Sequence, residues 1–545
     1  MTDTRGVHAF ASPTAMLKTA LRRYRGRTAF ALDGESVTYA ALEDRVARVQ
    51  AVLALAGVGA DQPVAFLSRN RWDAWAAASA ASALGAPPCW LHPLGTESTH
   101  AEQMLQVGPA AIVVDARSFP DRPAQLAEAL PGIPIFTLGA ADAGTALDAA
   151  ADAMGNVRLV DLSRPEGIGM VGLTGGTTGK SKAVERSVAS VASMTVATLA
   201  SFDIPNEPRF LAIGPISHVT GTLLLPTLMR GGRVSLVDRF DPETVLARIE
   251  REKISLALAV PTMIYDLLDC PAMDRADTGS LKRLLYGGAA MSPHRLAEAL
   301  EKIGPVFTQL YGQAECHPMA TLDSADHDPV RPDILAACGF PTRGCEMRLL
   351  DDELNEPAPG EIGEICVRGP GVMTRYRDAP EATEEAFAGG WLHTGDLGRT
   401  DEEGRFYIVD RKKEMIVSGG FNIYPREIED VLTAHPDVAT AAVIGLPDPR
   451  WGEAAHAVVT LRAGCVLDEA GLADLVRTRK GSMLTPKSFR AIDELPLTAA
   501  GKVDKRGLAA ACGDGDMQGG MLEVDGQATR LSPVSFSVNP GKPAA

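Results

Sequence analysis

A glycine-, threonine- and lysine-rich segment at residues 174–182 (Thr-Gly-Gly-Thr-Thr-Gly-Lys-Ser-Lys) is the most informative chemical feature of this sequence. Its glycines let backbone N–H groups point into one concavity, while its hydroxyls and lysines add donors and positive charge, a combination suited to phosphate. A Walker-type P-loop does not fit. That motif needs a glycine separated from the Gly-Lys pair by four residues, at the position where Thr174 stands. The segment predicts a phosphate-binding loop of another kind.

Five further segments carry chemistry later in the chain. They are residues 311–315 (Tyr-Gly-Gln-Ala-Glu), 390–396 (Gly-Trp-Leu-His-Thr-Gly-Asp), 410–413 (Asp-Arg-Lys-Lys), 418–429 (Ser-Gly-Gly-Phe-Asn-Ile-Tyr-Pro-Arg-Glu-Ile-Glu) and 496–502 (Pro-Leu-Thr-Ala-Ala-Gly-Lys). With the first loop, they resemble the ordered motifs of the adenylate-forming superfamily: acyl-CoA synthetases, luciferases and peptide-synthetase adenylation domains. One such motif is weak evidence, but six in order are specific. The resemblance covers residues 15–510.

The resemblance implies an ATP-dependent acid–thiol ligase. Such an enzyme joins a carboxylic acid to AMP, releases pyrophosphate and passes the acyl group to the thiol of coenzyme A. A carboxylate is a poor electrophile because its charge repels nucleophiles, and the mixed anhydride removes that charge and supplies a good leaving group. ATP, Mg²⁺ and coenzyme A are therefore the implied cofactors. The small-molecule partner is a carboxylic acid, and an aromatic, medium-chain or other hydrophobic acid is the hypothesis.

The resemblance also assigns nucleotide-binding residues one by one. They are Thr174, Gly175, Gly176, Thr177, Thr178, Gly179 and Lys182 at the phosphates, Gly287, Gly288, Ala289, Tyr311 and Gly312 at the adenine, and Asp396 and Arg411 at the ribose. A threonine- and lysine-lined loop suits phosphate, small residues beside an aromatic ring admit a flat base, and one carboxylate can accept from two ribose hydroxyls.

Catalytic and metal-binding roles follow from the same motifs. Lys502 is implied to bridge the substrate carboxylate and the α-phosphate, where a long ammonium side chain neutralises charge on both reactants. Glu315 and Thr174 are the implied magnesium ligands, and Glu315 belongs to the catalytic set. His218, within residues 215–221, matches the family position beside the acyl carboxylate.

The last assigned residues concern the second half-reaction. Lys413 occupies the hinge position at which family members rotate the small domain. Gly420 closes a Ser-Gly-Gly run implied to line the pantetheine passage. Trp451 offers an aromatic face for the adenine of coenzyme A, and Lys487 is a candidate contact for its phosphates.

Four positions depart from the family pattern. Gly175 replaces a serine, Ser181 a proline, Ala183 a glycine and Ala314 a threonine. None of these changes removes a charged catalytic group, so we expect activity to survive, with the metal and phosphate geometry shifted.

Other functions fit less well. An adenylation enzyme that loads an acid onto the phosphopantetheine of a carrier protein is the main alternative. Amino-acid activation is disfavoured, because the aspartate usual for a substrate ammonium is absent where residues 216–218 read Ile-Ser-His. A luciferase-like oxygenase has no support beyond the shared fold. A catalytically idle nucleotide-binding regulator would lack Lys502, Asp396 or Glu315, and all three are present.

The order of short apolar runs and helix-like segments along the chain predicts an α/β protein that positions these residues. Thr38 is expected to cap a helix with apolar residues at 42, 46, 49 and 53, stopped by Gly57. Short apolar runs predict strands at 64–67, 112–114, 210–213, 234–237, 256–260 and 284–286. Several end in Gly or Pro clusters, at 214, 261, 287 and 311. Ligands gather beyond the carboxyl ends of such strands.

The pattern changes near residues 410–413. We predict a large N-terminal AMP-binding domain over residues 1–412, made of packed mixed and parallel sheets with helices. A small mobile α+β domain over residues 413–512 carries Lys502, with strands near 441–444 and 456–461 and a helix near 470–478. Residues 513–545 are rich in Gly, Ser and Pro and predict a flexible tail.

Composition limits the partners. The 545 residues are 46% hydrophobic and 22% charged, with a net charge of −16 that argues against nucleic acid. Eight scattered cysteines form no CxxC pair, which indicates reduced thiols in a cytosolic protein. The N-terminus lacks a signal-peptide pattern, and the most apolar stretch, residues 74–94, is interrupted by glycine and prolines. We predict a cytoplasmic protein without stable membrane insertion. The oligomeric state stays open, with a homodimer among the alternatives.

Overall fold

The computed structural model describes residues 12–32, 34–174, 182–358, 360–462, 464–497, 503–513, 521–524 and 527–530. The chain divides into two compact units: residues 1–394 with 399–407, and residues 395–398 with 408–545. The boundary expected at residues 412–413 and the flexible tail expected from residue 513 stay predictions.

Thirteen of the helices in the described residues belong to the first unit and three to the second. They are α1 (Pro13–Arg23), α2 (Tyr39–Leu55), α3 (Trp72–Ala83), α4 (Glu97–Val107), α5 (Arg122–Ala129), α6 (Leu147–Asp152), α7 (Val188–Ser201), α8 (Leu224–Met229), α9 (Pro242–Glu252), α10 (Pro261–Asp269), α11 (Pro293–Ile303), α12 (Pro332–Leu335), α13 (Pro380–Ala386), α14 (Pro425–Thr433), α15 (Glu469–Lys480) and α16 (Lys505–Gly513).

The strands are short, as is usual for an α/β protein. They are β1 (Thr28–Leu32), β2 (Glu35–Thr38), β3 (Val64–Leu67), β4 (Pro88–Trp90), β5 (Ala111–Asp115), β6 (Ile135–Leu138), β7 (Thr145–Ala146), β8 (Ile168–Leu173), β9 (Ala183–Ser187), β10 (Arg209–Ala212), β11 (Arg233–Leu236), β12 (Leu256–Ala259), β13 (Arg283–Gly287), β14 (Phe307–Tyr311), β15 (Ala320–Leu322), β16 (Phe340–Pro341), β17 (Glu346–Leu350), β18 (Gly363–Arg368), β19 (Arg375–Tyr376), β20 (Leu392–Thr400), β21 (Phe406–Arg411), β22 (Ile416–Ser418), β23 (Phe421–Ile423), β24 (Val438–Asp448), β25 (Gly452–Leu461), β26 (Phe489–Ala491), β27 (Met521–Val524) and β28 (Gln527–Arg530).

The first unit contains two large sheets. One has the order β16-β15-β14-β13-β12-β10-β11-β1-β2. Its strands run parallel from β14 to β1, whereas β15 pairs antiparallel with β14 and β2 pairs antiparallel with β1. The other has the order β19-β9-β8-β4-β3-β5-β6-β7 and is parallel from β8 to β7. The predicted α/β class is confirmed, and each predicted strand appears within one or two residues of its expected position.

The core of this unit lies between the two sheets. Phe30 and Phe210 from one sheet and Phe66 from the other belong to the same apolar cluster and are fully buried. Helix α2 buries its predicted apolar face in this cluster, and the Thr38 hydroxyl accepts a hydrogen bond from Ala41 N at 3.1 Å, which caps the helix as expected.

Asn70 ties the carboxyl ends of strands from both sheets together. It follows β3, and its amide donates to the carbonyls of Gly214 at 2.9 Å and Val237 at 2.8 Å, beyond β10 and β11. Its side-chain oxygen accepts from Ile216 N at 2.8 Å. Because Asn70 is buried with its donors and acceptor satisfied, it fixes the loop that leads to His218.

The second unit is a smaller α+β assembly. Its main sheet has the order β23-β22-β25-β24, with β26 added beside β25, and it is covered by α14 and α15. The strands and helix predicted near residues 441, 456 and 470 are present as β24, β25 and α15. Strands β27 and β28 pair antiparallel within the stretch predicted as a tail.

No helix in the described part of the chain is long and apolar enough to cross a membrane.

Candidate functional site

Parallel strands place the predicted ligand segments on one edge of the nine-stranded sheet. Strands β10, β12, β13 and β14 run parallel, so the segments that follow them, at residues 214, 260, 288 and 312, leave the sheet on the same side. Carboxyl ends of neighbouring parallel strands are where α/β folds bind ligands. The Gly and Pro clusters identified in the sequence therefore share one edge.

The predicted adenine-binding residues are neighbours across β13 and β14. Gly287 pairs with Leu310, next to the buried Tyr311. A β-carbon on Gly287 would overlap the carbonyl of Leu310, and Gly288 has φ of +82°, so both positions favour glycine. Gly312 is similarly restricted by the ring of His317. Small residues and one aromatic ring line this part of the edge.

The predicted phosphate loop joins two antiparallel strands. Thr174 and Lys182 close it: Thr174 N donates to the carbonyl of Lys182 at 3.0 Å, and Lys182 N donates to the Thr174 hydroxyl at 3.1 Å. The loop between β8 and β9 is thus a hairpin connection. The intervening predicted residues Gly175, Gly176, Thr177, Thr178 and Gly179 lie outside the described residues, as do Ser181 and Lys502.

Lys182 and Glu315 are joined through a tyrosine that the motif analysis did not identify. The Lys182 ammonium lies 4.6 Å from the ring centroid of Tyr376, and the Tyr376 hydroxyl donates to Glu315 Oε1 at 2.8 Å. Burial and the nearby Glu315 carboxylate raise the pKa of Tyr376, so its hydroxyl stays protonated and donates. Two sequence-predicted residues therefore share one cluster with Tyr376, a cation on one side and a carboxylate on the other.

A buried arginine supports the turn that carries Glu315. Arg186 lies in β9, is 2% exposed, and donates from Nε at 3.0 Å and Nη2 at 2.6 Å to the carbonyl of Ala314. It also donates to the carbonyl of Gly371. Burial lowers the pKa of Arg186, and the nearby Glu315 carboxylate opposes that shift. Ala314, where the family has a threonine, is thus held through its backbone.

Glu185, which precedes Arg186 in β9, holds strand β19, which contains Tyr376. Glu185 is buried and forms ion pairs with Arg375 and Arg377, each at 2.7 Å. These arginines flank Tyr376, whose backbone pairs with Val184. The alternation of a strand places Glu185 and Arg186 on opposite faces, so one strand orients both the tyrosine and the Glu315 turn.

His218 lies at the start of a 3₁₀ turn and is exposed. Its Nδ1 is 2.8 Å from the Ser217 hydroxyl. Thr222, one turn later, is 3.5 Å from Nε2 of His317, two residues after Glu315. Burial and the Arg186 charge lower the pKa of His317 to about 3, so this imidazole is neutral. The structure therefore links the His218 segment to the Glu315 turn.

In the second unit, the two predicted ribose residues are in contact. Asp396 is 3% exposed, and Arg411 Nε lies 3.1 Å from Asp396 Oδ1. Lys412 N donates to the carbonyl of Gly395 at 2.9 Å, which holds the two segments side by side. Lys413, the predicted hinge residue, is exposed.

The predicted coenzyme A residues of this unit also come together. Gly419 N donates to the carbonyl of Trp451 at 2.8 Å, and a β-carbon on Gly419 would contact the Trp451 ring closely. Gly420 follows, exposed and with φ of +83°. Arg450 and Lys487 lie 4.7 and 5.6 Å from the Trp451 ring centroid, which gives an aromatic surface flanked by two cations.

The donor set suits a magnesium ion that shares its ligands with phosphate. Within the described residues, no group of three or more acidic, histidine or cysteine side chains is placed to hold a metal. Glu315 offers a carboxylate with one oxygen engaged by Tyr376, and the Thr174 hydroxyl already bonds to the backbone of Lys182. Mg²⁺ retains waters and phosphate oxygens in such sites, so a single carboxylate fits.

Four residues that support the site lie outside the sequence motifs: Tyr376, Arg186, Glu185 and Asn70. The Glu-Arg pair at residues 185–186 was the available signal for β9, but such a pair is equally typical of an exposed edge strand. Tyr376 and Asn70 gave no signal, since neither lies in a motif.

Comparison with known proteins identifies a family and several relatives. The AMP-binding enzyme profile matches residues 17–377, and the profile of the AMP-binding enzyme C-terminal domain matches residues 427–502. A medium/long-chain-fatty-acid–CoA ligase, FadD8 of Mycobacterium tuberculosis, is 39% identical over 92% of this chain and 90% of its own length. A feruloyl-CoA synthase of an Amycolatopsis species is 36% identical over 88% of this chain and 94% of its own length.

A solved structure is also similar. The amide bond synthetase McbA from Marinactinospora thermotolerans superposes with a TM-score of 0.85 and 34% identity, covering 91% of this chain and 99% of the other.

Proposed function

This chain belongs to the AMP-binding enzyme family, within the adenylate-forming superfamily, and from that premise we propose that its described residues divide the steps of an acid–CoA ligase among them. The enzyme itself is an AMP-forming ligase: it uses ATP to convert a carboxylic acid to an acyl-adenylate and transfers the acyl group to coenzyme A. The observation that carries the assignment of roles is the Lys182–Tyr376–Glu315 cluster at the mouth of the β8–β9 loop.

Lys182 and Thr174 bind the β- and γ-phosphates, together with Gly175, Gly176, Thr177, Thr178 and Gly179. A lysine at this position offsets the charge of the triphosphate as the acid attacks. Glu315, oriented by Tyr376, holds Mg²⁺, and that ion when bound neutralises phosphate charge.

The remaining nucleotide and acid contacts are assigned residue by residue. Gly287, Gly288, Ala289, Tyr311 and Gly312 form the adenine surface. Asp396 accepts from the ribose hydroxyls while Arg411 orients its carboxylate. His218 stands at the acyl group, and Lys502 neutralises the acid and the α-phosphate during adenylation.

The second half-reaction uses the surface around Trp451. Gly420 permits close approach of the pantetheine arm, while the Trp451 ring stacks with the adenine of coenzyme A. Lys487 and Arg450 supply local positive charge for its phosphates in a protein whose net charge is −16. Lys413 serves as the hinge residue.

The acid is a hydrophobic one, of medium chain length or aromatic. The small residues at 287–290 and the buried Ile216 beside the His218 segment favour an apolar acyl group. Relatives named as ligases of medium- and long-chain fatty acids and of a feruloyl group support the same class. A cytoplasmic location and a homodimer stay predictions.

Incubation of purified protein with ATP, Mg²⁺ and an acid panel, with and without coenzyme A, tests this function. Mass spectrometry should detect AMP and one acyl-CoA class. Acyl-adenylate that forms but never reaches coenzyme A would contradict the ligase.

The likeness to an amide bond synthetase favours one second candidate, transfer of the acyl group to an amine. An amine included in the panel distinguishes the two acceptors. Carrier-protein loading is not favoured, because the curated relatives are CoA ligases.

A further inference from the structure

A second histidine stands against His218. The ring centroids of His92 and His218 lie 4.6 Å apart, with the ring planes at 78°. Edge-to-face contacts of this kind are favourable between aromatic rings. His92 follows β4 and His218 follows β10, so the contact joins the carboxyl ends of strands from the two large sheets. No motif in the sequence marks His92.

The imidazole of His92 is held in one orientation. Leu94 N donates to His92 Nδ1 at 3.1 Å, so Nδ1 is an acceptor and the ring proton resides on Nε2. The backbone is held as well, because the carbonyl of His92 accepts from Gly95 N at 3.0 Å. Burial and the neighbouring imidazole of His218 lower the pKa of His92 to about 3, which keeps the ring neutral.

A buried histidine, His100, fixes the backbone of the turn that contains His92. His100 in α4 is fully buried, and Arg122 donates to its Nδ1. A guanidinium has no acceptor, so Nδ1 must accept and Nε2 must carry the proton. His100 Nε2 therefore donates to the carbonyl of His92 at 2.8 Å. A β-carbon on Gly95 would overlap His100 Nε2, so glycine is required for this packing.

These contacts form a chain from α5 to the predicted acyl site: Arg122 to His100, His100 to the carbonyl of His92, and the His92 ring to His218. Each link orients the next, and the chain ends on the exposed side chain that the proposed function places beside the acid. A fixed ring at 4.6 Å restricts the rotamers open to His218.

We propose that His92 is a positioning residue that holds His218 against the incoming carboxylic acid and thereby sets the affinity of the ligase for its acid. This inference rests on the proposed role of His218. The two rings form the wall on which a hydrophobic or aromatic acyl group rests, and the proposed function places neither ring among the residues that bind ATP. Substitution of His92 should therefore weaken binding of the acid and leave binding of ATP unchanged.

The test compares steady-state constants for the acid and for ATP. His92→Ala is expected to raise KM for the preferred acid by about tenfold, the equivalent of one lost oriented contact, with KM for ATP unchanged. His92→Phe keeps an aromatic edge against His218 and should retain acid binding more fully. His294→Ala is the matched control, since His294 is exposed on α11 and belongs to none of these contacts.

A double-substitution cycle separates positioning from general loosening. If His92 acts through His218, His92→Ala should change KM for the acid by less than about twofold in a His218→Ala background. Effects that multiply in the double variant, or equal increases in KM for acid and ATP, would overturn the inference. The melting temperature of each variant identifies any loss of folding. If His92→Ala unfolds, KM for the acid is compared between wild type and His92→Phe instead.

Assays of the wild-type protein and of His92→Ala distinguish failure of this inference from failure of the proposed function. Formation of acyl-adenylate with an unchanged KM in His92→Ala would overturn the His92 assignment alone. Absence of acyl-adenylate with every acid would overturn the proposed function and this inference with it.

Discussion

The Tyr376 hydroxyl donates to Glu315 Oε1 at 2.8 Å while the ring of the same tyrosine lies 4.6 Å from the Lys182 ammonium. One side chain thus orients a predicted magnesium ligand and a predicted phosphate ligand. Its strand is held in place by the ion pairs of Glu185 with Arg375 and Arg377.

Tyr376→Phe removes the hydroxyl and keeps the ring. Glu315 then loses one orienting hydrogen bond, so we expect adenylation to slow about tenfold and to need more Mg²⁺. ATP–pyrophosphate exchange over a series of Mg²⁺ concentrations measures both effects. Tyr407→Phe is the matched control, because Tyr407 donates to the Asp401 carboxylate at 3.0 Å outside the Glu315 turn. Equal losses in both variants would argue against a specific role for Tyr376.

Arg186→Met removes the buried guanidinium that donates to the carbonyls of Ala314 and Gly371. The free energy of unfolding should fall by about 3 kcal/mol, and adenylation should fall with it. Arg186→Lys keeps the positive charge but not the several fixed donors of the guanidinium, so it should recover only part of the lost stability. Urea denaturation measures the stability. Arg164→Met, which breaks the exposed pair with Asp61, should change stability little. A stable and fully active Arg186→Met variant would contradict this account.

Lys505 anchors the segment just after Lys502 within the second unit. Its ammonium lies 2.8 Å from Glu429 and 3.5 Å from Glu414, close behind the predicted hinge residue Lys413. The nearby carboxylates outweigh burial and raise the pKa of Lys505, so it stays charged. Lys505→Met should slow adenylation about tenfold or more, because the Lys502 segment loses its anchor.

Transfer of an acyl group from supplied acyl-adenylate to coenzyme A should suffer less, since Lys502 acts in the first half-reaction. Lys505→Arg should restore adenylation. Lys480→Met, which breaks a half-exposed pair with Glu427, is the matched control in the same unit. Equal losses in the two half-reactions, without rescue by arginine, would indicate a purely structural role.

Buried neutral imidazoles make the folded state sensitive to acid. Burial lowers the pKa of His100 to about 4 and that of His317 to about 3, whereas an imidazole in the unfolded chain titrates near 6.5. Between these values only the unfolded chain binds the proton, so stability falls as the pH falls below about 6.5. Each imidazole should contribute a loss on the order of 2 kcal/mol between pH 7 and pH 5.

Chemical denaturation at each pH measures this slope. His100→Asn should flatten it by the share of one imidazole, while His294→Asn, at an exposed position, should leave it unchanged. An identical slope in wild type and His100→Asn would contradict the assignment.

Much of the fold could be predicted from local patterns. The helical spacing after Thr38 gave α2 and its cap, and short apolar runs located β3, β5 and β10 to within one or two residues. The six motifs indicated the family and the chemistry, because backbone-binding loops need particular residue types at particular spacings. Close approach of a neighbouring ring explains two of their glycines, Gly312 beside His317 and Gly419 beside Trp451.

The sequence by itself therefore determined the reaction class and predicted the residues that bind the nucleotide. Only the tertiary structure decided which side chains orient them. Tyr376 reaches Glu315, Arg186 reaches Ala314 and His92 reaches His218 because the order of strands in the two sheets brings together segments far apart in the chain. Periodicity in a sequence reports which face of an element is buried, but it carries no information on which element lies beside it.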